Sequence, residues 1–327
     1  MNSQNMTNRI EQKIISVLKE RSGYVSGEQI SNSLDISRQG LWKHIQALKE
    51  NGYDIAAVPH LGYKLFSAPD RLFPFEVTSG LRTRLFGKNI YYFEQIHSTM
   101  DTAGDFGSKG AAEGTLIIAE TQTKGRGRLG RTWSSPKYKG IYISLILKPR
   151  IPPSCAPILT LLSGVSVCEA VQNITGVETQ IKWPNDVIIE GKKLAGILTE
   201  LNAETDEVKF AVVGIGINVN NEKKSLLQGA TSLKEHTNEE ISRVELLKEL
   251  LRVLEENYQL FEKKGSGVIA DKWKQLSITL GKRVRINCLS LQIEGEALDI
   301  DCDGALLVRN DSGLINRITS GDVIHCR

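Results

Sequence analysis

The chain has 327 residues, 40% hydrophobic and 24% charged, which excludes wholesale disorder and allows two or three domains around at least one sizeable core. Its formal net charge of +3 neither assigns nor excludes a nucleic-acid partner, so local clustering has to decide. No run approaches the ~20 uninterrupted apolar residues of a membrane span, and residues 1–7 are polar with no apolar signal core behind them, so a cytoplasmic protein is expected.

In chain order, the first seventy residues read as a helical unit with a short hairpin. Ile10, Ile14, Val17 and Leu18 share one helical face. Ser26-Gly27-Glu28-Gln29 has the form of a capping box opening a short helix that carries Ile30 and Leu34. After a turn at Asp35-Ile36, Ser37 is placed to cap a second helix. Leu41, Ile45 and Leu48 of that helix point inward, and Arg38, Gln39, Lys43 and Gln46 point outward. Apolar runs at 53–58 and 63–66, separated by Pro59-His60-Leu61-Gly62, suit a two-stranded wing. Helix, turn, helix and wing predict a winged helix-turn-helix. Ser37, Arg38, Gln39 and Lys43 then fall at the start of the helix that enters the major groove. A three-helix bundle used for protein contacts is the alternative.

Residues 67–75 hold two prolines and read as a linker. Strands are expected at 90–95, 115–120 and 141–148, the last half-buried by its alternation, and a helix at 159–171. Strands at 177–183, 187–189, 194–201 and 208–219 follow, with antiparallel pairing implied by the turn Glu190-Gly191-Lys192-Lys193. Ser242-x-x-Glu245 caps a long amphipathic helix reaching about residue 264. Short strands at 283–288, 294–300, 306–309 and 315–318, punctuated by Asp303-Gly304 and Asp311-Ser312-Gly313, suit a small β-barrel. The expected domains are 1–68, 69–276 and 277–327. The cysteines, Cys155, Cys168, Cys288, Cys302 and Cys326, form no CxxC pair and read as buried thiols of a reducing compartment. The five histidines are too scattered for a metal cluster, and no metal-ligating residue is assigned.

Three motifs carry chemistry. Gly125-Arg126-Gly127-Arg128-Leu129-Gly130-Arg131-Thr132-Trp133 packs three guanidinium forks, three glycines and an indole into nine residues. Arg suits carboxylate and phosphate oxygens, Gly lets backbone approach a ligand, and Trp offers a face for a base. Taken alone, the segment is also compatible with a solvated loop or an RGG-like RNA-binding tract. In Lys182-Trp183-Pro184-Asn185-Asp186, strand alternation puts Lys182 on the face opposite Ile181 and Trp183, a point charge for a phosphate or developing oxyanion. Gly214-Ile215-Gly216-Ile217-Asn218 ends an apolar strand with glycines that mark a close approach, without the third Gly of a dinucleotide fingerprint. His97-Ser98-Thr99 lies where a strand meets a helix that Ser98 is placed to cap.

In this order and spacing, with Lys193-Leu194-Ala195-Gly196-Ile197-Leu198 between the last two, these motifs resemble the biotin–protein ligases. With the N-terminal unit, the whole chain resembles the bifunctional bacterial ligases that also repress the biotin operon. The resemblance implies an α+β protein: a winged helix-turn-helix, a central mixed α/β ligase domain of class II synthetase type, and a small C-terminal SH3-like barrel. It implies activation of biotin by ATP with Mg2+ to biotinyl-5′-AMP. Transfer to a lysine of a biotin carboxyl carrier domain of a carboxylase follows, and a homodimer binds operator DNA. Carried over by position, Ser98, Thr99, Met100, Gln122, Arg126, Gly127, Arg128, Lys182, Gly214 and Gly216 contact biotin. Arg126, Arg128, Arg131, Trp133, Lys182 and Asn218 contact the adenylate, and Arg126, Arg128 and Lys182 are catalytic. Met100 stands where some members have Asn, and Leu129 where Arg is frequent. Lipoate–protein ligases, and a transcription factor that merely senses a small molecule, are the competing readings.

Overall fold

The computed structural model describes residues 3–288 and 291–325. Its compact units are Met1–Asp70 and Arg71–Arg327.

In the first unit, α1 (Ser3–Lys19), α2 (Gly27–Leu34) and α3 (Arg38–Glu50) precede an antiparallel pair, β1 (Asp54–Val58) and β2 (Gly62–Ser67). Ile14, Ile15, Leu18, Ile30, Leu41, Ile45 and Leu48 form its core. Ser37 caps α3, its hydroxyl accepting from Gly40 N–H at 3.0 Å. The capping box does not form, because Ser26 makes no side-chain cap bond to α2. The turn into α3 runs through Asp35 at φ 53°, in the left-handed region where Asp is tolerated. Gly62 has φ +107°, and a Cβ there would lie 2.0 Å from the Val25 carbonyl oxygen, so only glycine lets the wing close on that segment.

The second unit opens with α4 (Pro74–Thr78), β3 (Ile90–Phe93), α5 (Thr99–Ser108), β4 (Leu116–Ala119), β5 (Gly140–Leu147) and α6 (Pro157–Thr175). It continues with β6 (Gln180–Lys182), β7 (Asp186–Ile189), β8 (Lys192–Ala203), β9 (Val208–Asn218), α7 (Leu233–Thr237), α8 (Arg243–Lys264) and α9 (Gly267–Leu276). The seven strands order β3-β4-β5-β9-β8-β7-β6; only β3 and β4 run parallel. The strand expected to be half-buried, β5, is buried at every residue, because it is central and covered on both faces. The strand expected over 177–183 shrinks to three residues. Ser242 caps α8 as its motif predicts, accepting from Glu245 N–H at 3.3 Å. The helix over 153–175 is long and apolar enough to cross a membrane by length and composition, yet most of it is buried in the core against α8 and α9.

The C-terminal strands are β10 (Arg283–Cys288), β11 (Leu291–Ile300), β12 (Leu306–Arg309), β13 (Ile315–Ile318) and β14 (Asp322–His325). They form one antiparallel sheet ordered β13-β12-β11-β10-β14, whose last strand the sequence pattern did not mark. Of the cysteines, Cys168 is buried, Cys155 is partly so, and Cys302 is exposed, correcting the expectation of uniformly buried thiols. The Cys288 side chain and all of Cys326 lie outside the described residues.

One buried polar joint braces the sheet. Arg243 and Glu120, both fully buried, pair at 2.6 Å; Arg243 also donates to the Gly140 carbonyl, and the second Glu120 oxygen accepts from Leu72 N–H. Removing one member strands a charge in the core, which costs about 3–5 kcal/mol. Arg243→Met is therefore expected to lower Tm by roughly 10 °C in thermal unfolding of the ligand-free protein. An unchanged Tm would show that the pair contributes no net stability.

Candidate active site

A cavity of about 500 Å3 opens on the sheet face occupied by Gly214, Gly216 and Gly196, and residues from several distant segments line it together. The arginine segment is a tight hairpin rather than an open loop. Arg126 bridges Thr132, Gly127 N–H donates to Arg131 O at 2.7 Å, and Trp133 N–H donates to Gly125 O at 2.9 Å. A Cβ on Gly125 would sit 2.6 Å from the Trp133 carbonyl, so glycine permits this closure. At its tip Leu129 is 68% exposed and held at φ 55°, a conformation that costs a Cβ-bearing residue about 1 kcal/mol or more.

The hairpin brings Arg126, Gly127, Arg128, Arg131 and Trp133 to the cavity, and Lys182 reaches the same space from β6. Lys182 has no ion-pair partner among the described residues, while its neighbours Ile181 and Trp183 are buried on the opposite face. The cationic side chains thus converge. Arg126 is engaged by carboxylates, donating to Glu200 Oε1 and Asp101 Oδ1, each at 2.7 Å. The Glu200 hydrogen bond raises its pKa further above the ordinary arginine range. Arg128 donates to Asn185 Oδ1 at 3.1 Å and to the Gly321 carbonyl at 3.3 Å, tying the hairpin to the C-terminal sheet.

A continuous polar relay runs beneath the hairpin. Ser144 donates to Thr99 Oγ1, and Gln122 Oε1 accepts from the Thr99 N–H at 2.8 Å and hydroxyl at 3.0 Å. Gln122 Nε2 donates to Ser135 Oγ at 3.1 Å. This fixes the Gln122 amide orientation and links the start of α5 to the segment just after Trp133. Met100, Ile143, Ile197, Leu198 and Ile215 supply apolar wall beside it.

The glycines serve side chains rather than an open approach. A Cβ on Gly214 would lie 2.4 Å from Met100 Sδ, and one on Gly216 would lie 2.5 Å from Trp133 Cε2. Gly196, paired in register with Gly216, would put its Cβ 2.9 Å from Trp133 Cζ3. The indole therefore lies against a floor of two facing glycines, with the Lys193 ammonium 5.5 Å from its ring centroid. Lys193 is also 2.6 Å from Asp186 Oδ1.

Of the residues expected to bind, Ser98 is the exception. It is buried, caps α5 by accepting from Asp101 N–H at 3.4 Å, and does not line the cavity. Asn218 lines it, but its amide nitrogen donates to Thr231 O at 3.0 Å. Gly196, Lys193 and Asn185, which stand inside the quoted motifs without an assigned role, also line the cavity, together with Asn221, residues 225–230 and, from the C-terminal sheet, Asn287, Val323 and Ile324. Gly196 was discoverable: antiparallel pairing of its strand with the Gly216 strand sets two glycines side by side. In the N-terminal unit, Arg38, Gln39 and Lys43 are exposed on α3 as expected, with Arg38 paired to Glu28 at 2.9 Å. Trp42, 55% exposed between them, was not singled out.

The biotin/lipoate A/B protein ligase family matches residues 92–218, an HTH domain family matches 10–64, and the biotin protein ligase C terminal domain family matches 279–326. The bifunctional ligase/repressor BirA of Bacillus subtilis is 39% identical over 304 residues, 92% of this chain and 93% of that protein. The protein of the same name from Escherichia coli is 32% identical over 323 residues, 97% of each chain. Among solved structures, the biotin protein ligase from Aquifex aeolicus in complex with biotin and ATP has 32% identity and a TM-score of 0.62. It covers 73% of this chain and 99% of its own.

Proposed function

Because the chain belongs to the bifunctional biotin ligase/repressors, we propose that it activates biotin with ATP, transfers it to a lysine of a biotin carboxyl carrier domain, and represses through operator DNA. The observation that carries this reading is the shared cavity: the hairpin arginines, Lys182, and the Thr99–Gln122 relay all meet around one space.

Biotin's carboxylate is already a nucleophile, so its attack on the α-phosphorus of ATP requires orientation and charge neutralisation rather than a general base. The carboxylate oxygen bonds to phosphorus and pyrophosphate leaves. Thr99, Met100, Gln122, Gly127 and Gly214 border the biotin side, with Ser98 acting behind them as the helix cap. Arg126, Arg128 and Lys182 bear on the carboxylate and phosphoryl oxygens. Arg126 exchanges its bonds to Asp101 and Glu200 for those oxygens when substrate arrives. Trp133, floored by Gly216 and Gly196, packs against adenine, with Arg131 and Asn218 alongside. Mg2+ would come bound to the triphosphate and would neutralise phosphate charge there beside Arg126, Arg128 and Lys182. In the second step the acceptor amine attacks the biotinyl carbonyl and AMP departs.

The α3 residues Ser37, Arg38, Gln39 and Lys43 face the operator, and adenylate favours a homodimer competent to bind it by population shift. We place the protein in the cytoplasm, where its acceptor and operator reside. Incubation with biotin and MgATP should yield biotinyl-adenylate by mass spectrometry, then biotinylated carrier domain, with lipoate giving neither product. Failure to form adenylate would end the ligase reading. In fluorescence anisotropy with a biotin-operon duplex, biotin plus ATP should tighten binding; equal affinity without them would refute the coupling.

A further inference from the structure

Two thiols of the second unit converge on one carboxylate. Cys155 ends the short turn Pro153–Cys155 that leads into α6, and Cys302 lies in the turn between β11 and β12. The Cys155 thiol donates to Asp303 Oδ1 at 3.0 Å, and Cys302 Sγ stands 3.9 Å from the same oxygen. Both cysteines are free; Cys155 is partly buried and Cys302 is exposed. Their meeting is built by the fold. Asp301 Oδ1 accepts from the Asp303 and Ala305 N–H groups, each at 2.9 Å, which shapes the turn. Gly304 seats that turn on α6, where a Cβ would lie 3.0 Å from Leu161 Cδ1 and 3.5 Å from the Ile158 nitrogen. The Gly304 carbonyl also accepts from Trp183 Nε1 at 3.1 Å.

We propose that Cys155 and Cys302 form a reversible disulfide, a redox modification site that joins the C-terminal sheet to α6 and that the intervening Asp303 carboxylate restrains. The same sheet supplies Asn287, Val323 and Ile324 to the cavity wall. The oxidant is a low-molecular-weight disulfide such as oxidised glutathione. Cys302, as thiolate, attacks one of its sulfurs; a mixed disulfide forms, the oxidant's S–S bond breaks, and one thiolate leaves. Cys155 then loses its proton to water and attacks Cys302 Sγ, expelling the second thiolate. The two departing groups take up the two protons through water. Two protein thiols are thereby oxidised by two electrons, and one small disulfide is reduced to two thiols.

Asp303 governs the second step. Burial and the hydrogen-bonded Asp303 carboxylate push the Cys155 thiol up, so little of it is thiolate at neutral pH. The other Asp303 oxygen pairs with Arg317 at 2.7 Å, which fixes the carboxylate in place.

The test treats the full-length protein with excess oxidised glutathione, alkylates the remaining thiols and digests without reduction. A cross-linked peptide pair carrying Cys155 and Cys302 should dominate over every other pairing of the five cysteines, and dithiothreitol should reverse it. The bridge closes a long loop, so the oxidised protein should unfold roughly 5–10 °C higher than the reduced one, a shift that Cys155→Ser and Cys302→Ser should each abolish. Asp303→Asn removes the charge beside Cys155 and should speed closure several-fold. Glutathione retained on Cys302 without transfer to Cys155, or a different dominant pairing, would overturn the site. Closure no faster in Asp303→Asn would overturn the restraining role of the carboxylate. None of these readouts requires ligase activity, so failure of the function proposed above would leave them unchanged.

Discussion

Lys182→Met should slow biotinyl-adenylate formation by about 10²- to 10³-fold while leaving the fold intact. The methionine keeps the length and apolar stem of the side chain, so strand β6 and the buried Ile181 and Trp183 on its other face keep their packing. What disappears is a cation facing the cavity with no carboxylate to neutralise it among the described residues. Lys193, the other lysine on this cavity wall, lies 2.6 Å from Asp186 and is already compensated. An uncompensated ammonium is the group with most to offer as negative charge spreads over the phosphoryl oxygens in the transition state, and its loss should appear in kcat more than in the KM for biotin. Single-turnover quench-flow with labelled ATP reads the chemical step directly. A variant within about two-fold of the native rate would remove Lys182 from the catalytic machinery.

The second large effect concerns the indole floor. Gly216→Ala would place a methyl 2.5–2.8 Å from three atoms of the Trp133 ring, which is rigid and cannot rotate one atom away. The indole must lift or tilt, and a base stacked on it loses contact worth roughly 1–3 kcal/mol. The KM for ATP should rise about ten-fold or more, with biotin affinity little changed. Gly214→Ala is the matched contrast. Its methyl meets Met100 Sδ at 2.4 Å, near the end of a flexible side chain that can swing aside, so the perturbation should appear in biotin affinity instead. Calorimetric titration of each ligand into each variant separates the two. If Gly216→Ala binds ATP as the native chain does, the indole is not the adenine platform.

These two glycines also show where pattern reading stopped. A glycine pair in a strand announces close approach, but the strand alone does not say what approaches. Trp133 is eighty-three positions from Gly216 in sequence, and only the folding of the hairpin onto the sheet sets one against the other. Likewise His97-Ser98-Thr99 reads equally as a cap or as a ligand-binding turn. The structure divides the labour: Ser98 faces its own helix, while Thr99 faces Gln122.

From residue order alone came the helix-turn-helix with its capped third helix, the long α8 with its Ser242 cap, four of the five C-terminal strands, and the chemistry of the arginine, lysine and glycine motifs. Those are local quantities: periodicity, cap residues, turn residues and side-chain charge act within a few positions. Tertiary structure alone decided that β5 is covered on both faces, that Arg126 is held by Asp101 and Glu200, and that Gly321 anchors Arg128 from the C-terminal sheet. Burial, ion pairing and hydrogen-bond satisfaction depend on which distant segments share a space, and no window of neighbouring residues contains that information.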